Sequence, residues 1–143
     1  MMTRPEKILY RAEVSATGGR DGRVIAVDGD FDVALSVPKE LGGPGGDGTN
    51  PEQLFAAGYA ACFLSTVKLV ARSRKLAVAN EASVTALVGM GPVAVGYALE
   101  VALKVSLPNV DHTTAQGIVE AAHERCPYSK ATRDNIAVTV TLV

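Results

Sequence analysis

An α+β architecture, with antiparallel sheets wrapped around one central buried helix, follows from three observations on this sequence. Short segments with period-two alternation occur near both ends and in the middle of the chain. One long run beginning at Asn50 is apolar on nearly every side, as in a helix enclosed between layers. Strands and helices do not alternate strictly, which argues against a parallel doubly wound sheet. The predicted order is βββ-α-ββ-α-β, in a single domain spanning residues 1–143.

The elements follow in order. Ile8, Tyr10, Ala12, Val14 and Ala16 alternate with mostly polar residues and predict a first strand. The turn Thr17-Gly18-Gly19-Arg20-Asp21-Gly22 leads to a second strand over Arg23–Val27, with Arg20 at the hairpin tip. Asp28-Gly29 is another turn signal, and Phe31, Val33, Leu35 and Val37 alternate in a third strand. Glycines 42, 43, 45, 46 and 48 predict an irregular, mobile loop over Pro38–Asn50. A helix then starts sharply: Asn50 suits the N-cap, Pro51 suits N1, and Glu52 complements the positive helix end. It is predicted to run to about Lys75.

Two further strands are predicted over Ser83–Gly89 and Tyr97–Leu107. Asp111 can cap a second helix over His112–Arg125, which Pro127 ends. Tyr128–Asp134 reads as a short helical turn, and Ile136, Val138, Val140 and Leu142 as a closing strand.

Composition narrows the function. Formal net charge is −1, from 14 basic and 15 acidic side chains, so neither nucleic acid nor an anionic membrane is expected as partner. Met1–Tyr10 carries Arg4, Glu6 and Lys7 and no apolar h-region, so no signal peptide is expected. The longest apolar run, Leu54–Leu64, falls short of the roughly 20 residues of a membrane span. A cytoplasmic protein is the expectation. A chain of this size buries roughly 70% of its unfolded surface and needs no disulfide or metal to fold.

The two cysteines, Cys62 and Cys126, are therefore either buried spectators or chemistry. Their separation excludes a CxxC redox motif and otherwise decides nothing. Cys126 lies beside the helix break at Pro127, where a side chain can be presented to a pocket. His123-x-x-Cys126 has no recognisable zinc spacing, and the glycine loop lacks the Lys and Ser/Thr of a phosphate-binding loop. No metal or bound cofactor is expected.

Three segments together resemble the organic hydroperoxide resistance (Ohr) branch of the OsmC/Ohr family. They are Thr17-Gly18-Gly19-Arg20-Asp21-Gly22-Arg23, the stretch from Gly48 through Asn50-Pro51-Glu52 to Ala61-Cys62-Phe63, and Ala121–Arg133 containing Cys126-Pro127-Tyr128-Ser129. The likeness covers essentially the whole chain. Lys130 and Ala137 depart from the residues common in the family. The resemblance implies an OsmC-like fold, an intertwined homodimer, and thiol-dependent peroxidase activity on organic and fatty-acid hydroperoxides in the oxidative stress response. It implies a peroxidatic Cys62, a resolving Cys126, and an activating pair, Arg20 and Glu52. It also implies recycling by an external dithiol, a dihydrolipoyl group on a lipoylated partner protein.

Physical chemistry gives these roles content. The nucleophile must be a thiolate, and Cys62 is too far from the start of its helix to gain much from the helix dipole. Arg20 would supply the positive charge and Glu52 would hold its guanidinium plane. Residues ten apart on one helix have Cα atoms about 15 Å apart, so one arginine cannot easily serve Glu52 and Cys62 of the same chain. The expected site is therefore composite, with Glu52, with or without Arg20, coming from the other subunit. Phe55, Phe63, Leu64 and Leu41 are the expected apolar lining for an alkyl hydroperoxide.

Overall fold

The structure, a computed structural model, describes residues 2–143. Contacts divide the chain into two compact units, one ending at Pro51 and one spanning Glu52–Val143.

The first unit is the predicted antiparallel meander: β1 (Val14–Thr17), β2 (Arg23–Ala26) and β3 (Asp32–Ala34), in that spatial order. Thr17 pairs with Arg23, so Gly18–Gly22 form the turn, with a 3-10 turn at Gly19–Asp21. The turn is tight enough that a Cβ on Gly22 would lie 1.7 Å from the Thr17 carbonyl oxygen. Arg23 Nε donates to Asp32 Oδ1 at 2.5 Å across the sheet.

Two expectations change here. The first strand begins at Val14, not Ile8: β2 pairs with Val14–Thr17 and adds only the Val27 N–H bond to the Glu13 carbonyl. Alternation alone does not make a strand, since a strand needs a neighbour to accept its ladder. Pro38–Asn50 is also not irregular throughout. It carries a 3-10 turn at Lys39–Leu41, and Thr49 bridges to Leu35. Its glycine N–H groups have defined acceptors: Gly43 bonds Pro38 O at 3.0 Å, Gly45 bonds Val37 O at 2.9 Å, and Gly48 bonds Ser36 Oγ at 2.9 Å.

The second unit is built on α1 (Pro51–Ser73), β4 (Ser83–Pro92), β5 (Tyr97–Ser106), α2 (His112–Arg125), α3 (Pro127–Thr132) and β6 (Val138–Leu142). Asp111 caps α2 as predicted, accepting from the Thr114 N–H at 3.0 Å and from its hydroxyl at 2.7 Å. These bonds hold the Asp111 carboxyl below its usual range. α1 stops at Ser73 because Lys75 turns left-handed at φ 58, letting Leu76 N–H bond back to Ala71 O at 2.9 Å.

β4 and β5 form a long antiparallel hairpin from Ser83↔Ser106 to Pro92↔Tyr97. β6 runs parallel to β5, from Val101↔Val138 to Val105↔Leu142, so the expectation of purely antiparallel sheets is corrected. The α2–α3 segment is a crossover that returns the chain to the same end of the sheet, and a crossover is what a parallel neighbour requires.

Alternation turns Val84, Ala86, Val101, Leu103, Val105 and Val140 toward the helices, where they join the core. Tyr59, Phe63, Val67 and Val70 form one stripe along α1, all with no exposed surface. On the opposite face of α1, Ala57, Ala61, Ser65 and Lys68 are exposed and Leu69 is 56% exposed. α1 is thus buried along a stripe rather than all round. By length and composition it could cross a membrane, contrary to the impression left by the Leu54–Leu64 run, yet its large side chains form the core of the unit.

Leu103 sits at the centre of that core, between Ala86 and Val140 on the flanking strands. Leu103→Ala is expected to lower the free energy of unfolding by about 2–5 kcal/mol, read from the urea midpoint at unchanged slope.

Candidate active site

The site is organised by a bend in the chain. Cys126 is the last residue bonded into α2, its N–H reaching the Ala122 carbonyl at 2.8 Å. It is also the N-cap of α3, and Lys130 N–H bonds its carbonyl at 3.0 Å. Its extended ψ of 126 is what a following proline demands, and Pro127 then opens α3 without needing a hydrogen bond.

The bend aims Cys126 at α1. Its sulfur lies 3.7 Å from Cys62 Sγ, and both cysteines are free thiols. The two differ in access: Cys126 is fully buried, whereas Cys62 retains some surface. The backbone N–H of Tyr128, in the first turn of α3, bonds the Cys62 sulfur and favours its thiolate. Burial acts against this and pushes the Cys62 thiol up, with the neighbouring Cys126 sulfur adding to the rise. A thiolate here therefore calls for a positive charge.

Behind the sulfurs lies a chain of buried hydroxyls that sequence reasoning missed. Tyr59 Oη is 2.8 Å from Ser129 Oγ and 3.1 Å from Thr132 Oγ1. His123 Nδ1 is 2.8 Å from Ser129 Oγ. Thr132 donates its hydroxyl hydrogen to the Ser129 carbonyl at 3.3 Å. Hydrogen counting then sets one direction: His123 Nδ1–H gives to Ser129, Ser129 to Tyr59, and Tyr59 to Thr132. Arg133 also donates to the His123 carbonyl. Burial, and secondarily the Arg133 cation, lower the His123 pKa, so the ring is neutral at neutral pH. The available signal was the spacing: His123 and Ser129 flank Cys126 by three residues on either side.

Aromatic rings cover the helix surface just before Cys62. Tyr128 packs on Phe55 and Tyr59, with ring centroids at 6.1 and 5.6 Å. Gly58 makes room for this, since a Cβ there would lie 2.4 Å from the Tyr128 hydroxyl oxygen.

The other predicted residues fall as follows. Phe63 has no exposed surface and packs beside Tyr59 and His123, so it backs the site and cannot line an open entrance; that expectation is corrected. Phe55 and Leu64 are partly buried against the core. α1 is unbroken between Glu52 and Cys62, which keeps their Cα atoms about 15 Å apart. Arg20, half-buried, occupies the middle of the 3-10 turn in the first unit, and Leu41 of that unit is 40% exposed. Among the described residues no three His, Cys, Asp or Glu side chains converge on a possible metal position. A groove of about 380 Å³ on the outer face of the second sheet, lined by Leu87, Glu100, Ala102 and Thr139 among others, includes none of the predicted residues.

Comparison with known proteins identifies the family. Residues 43–141 match the OsmC-like protein family. The chain is 52% identical over 141 residues to the organic hydroperoxide resistance protein of Xanthomonas axonopodis pv. citri, covering 99% of both chains. It is 42% identical to the organic hydroperoxide resistance protein OhrB of Bacillus subtilis, over 94% of this chain and 98% of that one. A crystal structure of a putative organic hydroperoxide resistance protein from Vibrio cholerae, with captopril bound in one of its active sites, superposes with a TM-score of 0.91. It shares 45% identity and covers 97% of this chain and 95% of its own. By fold, by full-length identity and by its cysteine pair, the chain belongs to the OsmC/Ohr family of organic hydroperoxide resistance proteins.

Proposed function

We propose that the protein is a thiol-dependent peroxidase that reduces organic and fatty-acid hydroperoxides to alcohols. The observation that carries this reading is the 3.7 Å separation of one accessible and one buried thiol, with a backbone N–H on the accessible sulfur. In the first step the Cys62 thiolate attacks the distal peroxide oxygen. The O–O bond breaks, its electron pair leaves with the alkoxide, and the alkoxide takes a proton to become the alcohol. Cys62 is then a sulfenic acid. In the second step the Cys126 sulfur attacks that sulfenic sulfur, a Cys62–Cys126 disulfide forms, and water leaves. The gap must close by about 1.7 Å to reach a bonded S–S distance. In the third step an external dithiol restores both thiols and is itself oxidised to a disulfide. A dihydrolipoyl group on a lipoylated protein is the proposed reductant.

Arg20 is the proposed cation for the Cys62 thiolate, and Glu52 the carboxylate that orients it. Burial raises the Cys62 thiol, which is the reason a guanidinium is required. We read residues 1–143 as one functional domain that works as an intertwined homodimer in the cytoplasm, with Glu52, with or without Arg20, supplied by the other subunit. Three features support the dimer: the 15 Å spacing along α1, the exposed face of α1 around Leu69, and a strand-patterned segment exposing Ile8, Leu9 and Tyr10. Phe55, Leu64 and Leu41 are the proposed apolar contacts for the hydroperoxide tail, each Å² buried there contributing about 25 cal/mol.

Peroxide consumption with dihydrolipoamide tests the reading. Cumene hydroperoxide is expected to be consumed faster than hydrogen peroxide; Cys62→Ser should abolish turnover, and Cys126→Ser should slow sustained turnover by about tenfold or more. Equal rates for the two peroxides, or full activity in Cys62→Ser, would sink it. Removing the cation should move the thiolate titration to higher pH. Arg20→Ala is therefore expected to lose about a hundredfold in rate at neutral pH and to recover part of it in alkaline buffer, measured as a stopped-flow pH profile. A profile with an unmoved midpoint would remove Arg20 from the role.

A further inference from the structure

The hydroxyl chain behind the sulfurs touches all three helices that meet at the site. His123 ends α2, Ser129 and Thr132 lie on α3, and Tyr59 lies on α1 one turn before Cys62. Cys126 occupies the vertex of the bend, three residues from His123 and three from Ser129, and the 2.8 Å bond between those two side chains closes the bend across it. Arg133 reinforces the closure through the His123 carbonyl. The 2.8 Å Ser129–Tyr59 bond then fixes the bend to the helix that carries Cys62. Ser129 is the common member, fully buried and bonded on both sides.

We propose that His123, Ser129 and Tyr59 are positioning residues for the resolving step of the proposed peroxidase cycle. They hold Cys126 Sγ within reach of Cys62 Sγ before any peroxide arrives, so that condensation of the sulfenic acid with Cys126 outruns a second oxidation of Cys62. The inference rests on the peroxidase reading and adds to it a determinant of which product Cys62 forms. The chemistry of that choice is balanced. A sulfenic acid and a thiol give a disulfide and water. A sulfenic acid and a second hydroperoxide give a sulfinic acid and an alcohol. The two routes compete at one sulfur. The first is intramolecular and depends on geometry; the second depends only on peroxide concentration. None of the three residues needs to touch peroxide, and each acts through the location of Cys126.

The test is the product partition at Cys62. Reduced protein is treated with graded cumene hydroperoxide in the absence of reductant, and intact mass separates disulfide from sulfinic acid. Wild type is expected to finish as disulfide. Ser129→Ala and His123→Ala are expected to raise the sulfinic fraction about tenfold at equal peroxide, the loss expected from one or two displaced hydrogen bonds. His123→Asn presents an amide N–H near the former Nδ1 position and is expected to restore the wild-type partition. A purely structural role would lower the melting temperature of His123→Ala without moving the partition, and without rescue by Asn. That result, or a folded Ser129→Ala with the wild-type partition, overturns the positioning role while leaving the peroxidase reading intact. A wild type that forms no disulfide at all overturns the peroxidase reading and this inference with it.

Discussion

Pro127 imposes a geometry on Cys126 that the rest of the site uses. A proline excludes helical ψ from the residue before it, so α2 cannot run on through Cys126, and the chain must bend there. The same ring then starts α3 at its first position, where a missing N–H costs no intrahelical bond. One residue therefore closes a helix, opens the next and points its sulfur at α1. The next free N–H, that of Tyr128, reaches the Cys62 sulfur. α1's own N-terminus lies too far back along the helix to help Cys62, so a different helix supplies the donor. The Ser129, His123 and Tyr59 side chains hold this arrangement against α1 with bonds of 2.8 Å.

Two opposing effects meet at Cys62. In the proposed cycle, burial would keep water away from a sulfenic acid and let an apolar tail gain by contact, yet it raises the thiol that would have to ionise. The Tyr128 N–H offsets this only in part. A single neutral donor does not supply the charge that a guanidinium would, which is the physical reason the proposed cycle calls on a cation such as Arg20.

Much of this was legible because it is local. The Asn50-Pro51-Glu52 start of α1, the Asp111 cap, the Arg20 turn and the Pro127 break each depend on a few neighbouring residues, and each appears where expected. What failed depends on distant partners. Ile8 to Ala12 alternates like a strand, but pairing within the chain reaches only Val14–Thr17. Ile136–Leu142 announces a strand without announcing its direction, and the parallel pairing to β5 is set by the crossover before it. Phe63 is expected among the apolar lining, yet the helical stripe it shares with Tyr59 and Val67 turns it into the core. The cysteine pair itself could be named from motif resemblance. Its 3.7 Å contact, and the hydroxyls behind it, belong to packing that no spacing rule encodes.

The burial of Cys126 also governs the return half of the proposed cycle. Once the two sulfurs are bonded, an incoming thiolate can approach only the one with surface, which is Cys62. The mixed disulfide with the reductant would thus form at the helix α1 sulfur, and Cys126 would depart as the leaving group into the interior of its own protein. Reductants too bulky to follow the hydroperoxide's path would be excluded at this stage, so a single opening would select both the oxidant and the molecule that undoes its effect.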